Sequence, residues 1–372
     1  MSVINNWYGI ENAEQVDSPA LLIYPDRVKE NIRVLINMID DSLRLRPHIK
    51  TNKCKEATQL MMDAGIHKFK CATIAEAEML GICKAKDVLL AYQPVGPKLQ
   101  RFIALIKKFP ETKFSCLTDN STTAKQQSDE FIKNKLLVPV YIDLNVGQNR
   151  TGIEPGEGAT QLYKYCAEQR GIKPVGLHAY DGHLHQPDIA ERTKECNNAF
   201  LKVESMMGKL ISFGFPEPVI IAGGSPTLPI HAKRKKIECS PGTFIYWDKG
   251  YLDACSEQPF LNAALVLARI ISLPDETKIC IDLGHKSIAA ENELSKRMYF
   301  LNAPELKFIS HSEEHLVAET IPGHSYQPGD VLYGIPQHIC PTVALYERAH
   351  TVDNNKVTGE WKTIARDRKI SV

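Results

Sequence analysis

Three short stretches of this chain carry side chains able to do chemistry. In RLRPHIKTNKC, residues 44–54, Lys50 stands at the end of an alternating apolar stretch, where the chain leaves a sheet. In IIAGGSPT, residues 220–227, Gly223 and Gly224 permit close backbone approach, and the hydroxyls of Ser225 and Thr227 can donate to an anion. In PQHICPTVAL, residues 336–345, His338 and Cys340 lie two apart on a strand-like segment. Their side chains then share a face, as two metal ligands require. Each stretch also has an ordinary reading: a surface lysine, a glycine turn, a buried pair of small residues. What decides is whether the fold brings them together.

The elements that would do so alternate with regularity. Apolar, strand-like runs LRLRPHI, KFKCAT, DVLLAYQPV, KFSCLTD, LVPVYIDLNVG, KPVGLHAY, EPVIIAGG and KIECSPGTFIYWD are each followed, up to the last, by a segment of helical pattern or a short connection. Eight strands in such alternation, over about 200 to 250 residues, is the arithmetic of a (β/α)8 TIM barrel. An open, doubly wound sheet is the competing arrangement. From about residue 255 the alternation gives way to apolar runs punctuated by Pro, Gly and Asp, which predicts a C-terminal antiparallel β domain. The early run PALLIY precedes the barrel count and is assigned to that second domain. The expected division is therefore a barrel over 26–250, with 1–25 and 251–372 forming the β domain.

Composition removes several classes of function. Across 372 residues the formal net charge is +1, which gives no electrostatic reason to expect nucleic acid or an anionic membrane as partner. The start, MSVINNWYGIENAEQVDSPA, lacks the order of a secretory signal, and no run approaches the roughly 20 apolar residues of a membrane span. A soluble, cytoplasmic protein is expected. Its ten cysteines are scattered singly, which fits reduced thiols rather than a disulfide framework.

In a barrel, chemistry gathers at the carboxyl ends of the strands, and phosphate sites commonly follow strands seven and eight. Lys50 and the glycine-rich stretch would then face each other across one mouth. Pyridoxal 5'-phosphate combines a phosphate with an aldehyde that condenses with a lysine amine, and neighbouring cations, here Arg46 and His48, would favour the neutral amine. In YIDLNVGQNRTGI, Asp143 and Arg150 form a simple salt bridge on the plain reading, or Arg150 reaches the phenolic oxygen of the cofactor.

The segments RPHIKTNK, DLNVGQNRTGI, HAYDGH and AGGSPT, in that order and at those strand ends, resemble the fold-type III pyridoxal enzymes, the alanine racemase-like barrels. The resemblance covers nearly the whole chain. RPHIKTNK and HAYDGH are most similar to the metal-activated branch of D-threonine aldolases and D-serine dehydratases. The resemblance implies Lys50 as the Schiff-base lysine, Arg150 on the phenolic oxygen, and Gly223, Gly224 and Ser225 around the phosphate. It also implies Tyr180 beside the pyridine ring, His183 facing the substrate, and His338 and Cys340 as ligands of an activating metal. A thiolate with an imidazole favours zinc over magnesium or calcium. It further suggests a homodimer acting on a small D-amino acid.

Bound at the 3-hydroxyl as a Lewis acid, such a metal would serve either dehydration of D-serine or D-threonine to a 2-oxo acid and ammonia, or retro-aldol cleavage to glycine and an aldehyde. Cys340, rather than a carboxylate, is the reason to prefer dehydration. Two other readings stand beside these. A racemase would need a second acid/base, for which Tyr326 and Tyr333 are available though in no recognised motif. A non-catalytic carrier of the cofactor would have no use for the His-x-Cys.

Overall fold

The computed structural model describes residues 7–372; residues 1–6, which belong to the segment assigned above to the β domain and to the start read for a leader, lie outside the described residues. The first strand, β1 (Ala20–Ile23), stands apart from the alternating region that follows. That region contains β2 (Lys68–Cys71), β3 (Asp87–Leu90), β4 (Lys113–Thr118), β5 (Val138–Leu144), β6 (Ile172–Ala179), β7 (Val219–Ala222) and β8 (Ile237–Cys239). All seven pair in parallel in chain order, with helices between them.

The eighth expected strand, at residues 43–49, is not a ladder strand, and the reason is chemical. Arg46 N–H donates to the Cys239 carbonyl and His48 N–H to that of Pro241, on the β8 side. On the β2 side Ile49 N–H donates to Lys70 and Lys70 N–H to Pro47. Pro47 has no N–H to continue that row. The segment therefore closes the curled sheet through isolated bridges, Leu45 to Cys239 and His48 to Lys70.

Alternation along this closing segment sets where its side chains go. Leu45 and Ile49 are buried in the main core between sheet and helices. Arg46, His48 and Lys50 take the other face, towards the barrel interior. β2 repeats the pattern, with Phe69 and Cys71 in the core and Lys68 and Lys70 inward. Fully buried rings such as Phe69, Phe102 and Phe131 fix the helices to the sheet, each contributing roughly 1.5–3 kcal/mol. The helix after β2 begins at Thr73, whose hydroxyl accepts from Glu76 N–H while the Glu76 carboxylate accepts from Ala72 N–H, so both ends of that turn are satisfied.

The second sheet contains β1 together with β9 (Ala264–Ser272), β10 (Lys278–Ile281), β11 (Met298–Phe300), β12 (Lys307–His311), β13 (Leu316–Glu319), β14 (Val331–Pro336), β15 (Arg348–Asp353) and β16 (Lys356–Lys362). β1 lies antiparallel to β9 and parallel to β15, so this sheet is mixed at one pair where an antiparallel sheet was expected. No described helix is long and apolar enough to cross a membrane. All ten cysteines are free thiols.

Candidate active site

The two ends of the barrel interior differ in their electrostatics. At the amino ends of the strands, the buried Arg46 guanidinium bonds Glu238 and Asp87 at 2.6 Å each, and Lys68 reaches the other oxygen of Glu238 at 2.5 Å. Arg46 is thus committed to the floor, two positions down the strand from His48, and is not the neighbour of Lys50 that its sequence position suggested. Above it, Leu89, Leu117, Tyr141 and Ile221 fill the barrel.

At the carboxyl ends a cavity of about 230 Å³ opens, lined by His48, Lys50, Lys70, Arg150, His178 and Tyr180 among others. No carboxylate lines it. His48 accepts the Lys50 backbone N–H on Nδ1 at 3.2 Å. Burial, then the charges of Lys50, Lys70 and Lys53, push the His48 imidazole well below its ordinary value, so it is neutral. Arg150 does not pair with Asp143: that carboxylate bonds His178 Nδ1 at 2.7 Å, and Arg150 lies over the Tyr180 ring at 5.2 Å. His178 Nε2 is buried without a partner, a polar atom left over for a ligand. His183 sits away from the cavity, packed on the loop after β5, where a Cβ on Gly147 would come within 2.7 Å of its Nε2.

The glycine-rich loop after β7 is pinned from behind. Gly223 has φ +77°, and a Cβ there would lie 2.7 Å from His231 and 2.9 Å from the Thr227 hydroxyl, so glycine is required on both counts. Thr227 Oγ1 donates to Asp181 Oδ1 at 2.8 Å and accepts Gly224 N–H at 3.2 Å. Its hydroxyl is therefore committed to the loop and is not offered to an anion as expected. Ser225 Oγ accepts the N–H groups of Gly242 and Thr243 at 3.3 and 3.1 Å, which draws the turn after β8 against the loop. Asp181 also bonds His231 Nε2 at 2.8 Å. Burial would raise its pKa, but the bonds from His231 and Thr227 prevail and hold it below the usual range. With Cys196, Asp181 and His231 form the described residues' one convergent His/Cys/acid triad. Its carboxylate oxygens are already taken by Thr227 and His231, which suits a brace behind the loop.

His338 and Cys340 are not on a strand. β14 ends at Pro336, His338 caps a helix, and Cys340 lies in the first turn of that helix, Ile339–Leu345. The turn still joins them. Burial raises the Cys340 thiol, yet the hydrogen bond from His338 and the charge of Lys50 outweigh it and bring it below its ordinary value. Burial lowers His338, but the Cys340 thiolate with Asp248 and Glu291 lifts it to about 9; Glu291 Oε1 is 2.6 Å from His338 Nδ1. Cys340 Sγ lies 3.0 Å from Oγ1 of Thr51, the residue after Lys50. The helix after β14 thus brings Cys340 against the segment that carries Lys50. Tyr326 and Tyr333 are engaged elsewhere, with Glu305 and with Ile10 N–H.

Lys70, Asp181, His231, Gly242 and Asp248 were not singled out from the sequence. Lys68 and Lys70 share one face of β2, yet one serves the floor and the other the mouth.

The matches to known proteins fall in two parts of the chain. Residues 23–249 match the family of the alanine racemase N-terminal domain, and residues 263–352 match the putative serine dehydratase domain. The chain belongs to the alanine racemase N-terminal domain family, the barrel of the fold-type III pyridoxal enzymes. A D-threonine aldolase of Arthrobacter sp is 26% identical over 358 residues, covering 95% of this chain and 93% of that protein. The crystal structure of D-threonine aldolase from Filomicrobium marinum superposes with a TM-score of 0.87 at 23% identity, over 96% of this chain and 97% of that one. D-threo-3-hydroxyaspartate dehydratase from Delftia sp. HT23 does so at 0.80 and 19% identity, over 94% and 98%.

Proposed function

We propose that this chain is a pyridoxal- and metal-dependent lyase of D-3-hydroxy amino acids, and that it dehydrates D-serine or D-threonine to a 2-oxo acid and ammonia. The observation that supports this reading is the approach of Cys340 to Thr51, the residue after Lys50. The mouth suits the cofactor: a lysine, an arginine, a buried imidazole nitrogen without a partner, and a glycine loop that a Cβ would fill. Gly223, Gly224 and Ser225 would hold its phosphate, Arg150 its phenolic oxygen, Tyr180 and His178 its ring, and Lys50 its aldehyde carbon. His338 and Cys340 suit zinc, because the thiol is already biased towards its ionised, ligating form. Pyridoxal phosphate, when bound, accepts electrons from the bond broken at the substrate Cα, and the metal polarises the 3-hydroxyl.

The chain's own groups supply the rest. Neutral His48 supports the backbone of Lys50 without adding charge, and the Lys50 amine would take the Cα proton at Nζ. His183 packs on Gly147 in the loop after β5, outside the wall of this cavity. A soft thiolate ligand suits zinc-assisted departure of hydroxide, whereas aldol cleavage needs the hydroxyl deprotonated and retained. A cysteine-to-alanine variant of a D-threo-3-hydroxyaspartate dehydratase with this fold is a metal-free form, which supports the assignment of Cys340 to the metal. The reading carries with it a cytoplasmic homodimer.

D-threonine distinguishes the outcomes. We expect 2-oxobutanoate and ammonia to dominate, and dialysis against a chelator to remove activity while the pyridoxal absorbance stays. Dominant glycine and acetaldehyde would replace dehydratase by aldolase, and L-threonine or L-allothreonine alone would overturn the lyase. Full activity without metal would remove His338 and Cys340 from the site.

A further inference from the structure

Lys70 is a buried cation with no assigned task. It ends β2, is 2 % exposed, and lines the same cavity as Lys50. Its ammonium makes no hydrogen bond or ion pair with any described residue, and its nearest partner is the face of the Tyr180 ring at 5.2 Å. Lys68, on the same face of the same strand, is paired with Glu238. The cavity wall offers Lys70 no carboxylate. Asp143 is taken by His178, and Asp181 by Thr227 and His231.

A buried charge without a partner is costly and favours the neutral amine, and an anion that enters with a ligand would restore and complete the charge. The shift of the amine agrees: burial, then the Lys50 charge, push it down to about 7 against the opposing pull of Asp181 and Asp143. On the functional reading above, the phosphate goes to the glycine loop, the phenolic oxygen to Arg150 and the aldehyde to Lys50. One cation remains.

We propose that Lys70 receives the α-carboxylate of the substrate, and that the mouth therefore selects monocarboxylic over dicarboxylic 3-hydroxy amino acids. This rests on the pyridoxal reading of the site. Lys70 here is a positioning residue: its ammonium fixes the orientation of the substrate, and so decides which bond at Cα faces Lys50. The selection follows from the groups of the cavity wall, where a second carboxylate would find no further cation free, His178 Nδ1 being taken by Asp143 and His48 being neutral.

The test uses ligands that cannot be dehydrated. Pyridoxal-loaded protein is titrated spectroscopically with D-alanine, with D-alaninamide, which lacks the carboxylate charge, and with D-aspartate. Wild type should half-saturate with D-alanine at a concentration roughly 10- to 100-fold lower than with D-alaninamide, the range expected for a hydrogen bond to a charged group. D-Aspartate should bind no more tightly than D-alanine. Lys70→Met should lose most of the preference for D-alanine over the amide, while Lys70→Arg keeps it; Lys70→Gln replaces the Met variant should that one not fold. An unchanged preference in folded Lys70→Met would overturn the proposal, as would tighter binding of D-aspartate by wild type. Loss of pyridoxal absorbance in both the Met and Arg variants would instead assign Lys70 to the cofactor. A wild-type protein that takes up no pyridoxal overturns the functional reading itself, and this inference with it.

Discussion

The floor and the mouth of the barrel are built from the same strands and carry opposite electrostatic designs. Below, Arg46, Lys68, Asp87 and Glu238 pair with one another, with Lys113 3.8 Å from Asp87 at the edge. Above, Lys50, Lys70 and Arg150 face a shared cavity with no acid in its wall. β2 contributes to both ends through two lysines two residues apart, one paired and one not. The difference separates structural charge from functional charge. A buried network complete within the protein supports the fold, and a buried set left incomplete describes what the ligand must bring.

If that contrast is right, removing a charge should act with opposite signs at the two ends. The largest effect is expected at the floor. Arg46→Met leaves Asp87 and Glu238 facing each other in the barrel interior, and should destabilise the protein by about 3–5 kcal/mol. Urea unfolding of wild type and variant measures it; a loss below about 0.5 kcal/mol would mean that the network is not sealed from water.

At the mouth the change should be smaller and favourable. The Lys70 amine is depressed to about 7 by burial and the Lys50 charge. The unfolded chain keeps an ordinary lysine, so as pH falls from about 10.5 towards 7 the unfolded state binds a proton that the folded state refuses. Stability is lost over that window. Lys70→Met removes the cost and should stabilise the ligand-free protein by roughly 1–3 kcal/mol at neutral pH, with the gain fading above about pH 10. Unfolding curves at the two pH values check this, and a gain that grew with pH would contradict the sign.

Much of this design is legible in the sequence, and the rest is hidden for physical reasons. Alternation in LRLRPHIK places Arg46, His48 and Lys50 on one face, and the chain order of strands and helices predicts the barrel. Period two does not give height, so Arg46 was read as a neighbour of Lys50 although it lies at the other end. Pro47 announces the break in the ladder, since a proline cannot donate to it. The sequence sets His338 and Cys340 on a strand, yet Pro336 ends β14, and Pro341 suits the first turn of a helix. The donors meet through that turn instead of through strand alternation. The brace of Asp181, Thr227 and His231 behind the glycine loop depends on contacts 46 and 50 residues apart, which no local pattern records. Lys70 is the clearest case: its lack of an acidic partner is a property of the whole wall.

We propose that Lys50 and Lys70, two lysines of one cavity unpaired among the described residues, have different tasks, Lys50 covalent and Lys70 electrostatic. Borohydride reduction of the pyridoxal-loaded protein, followed by peptide mapping, reads this directly. The pyridoxyl group should be found on Lys50, and Lys50→Ala should abolish it without transferring it to Lys70. A pyridoxyl group on Lys70 in the wild-type protein would contradict the account.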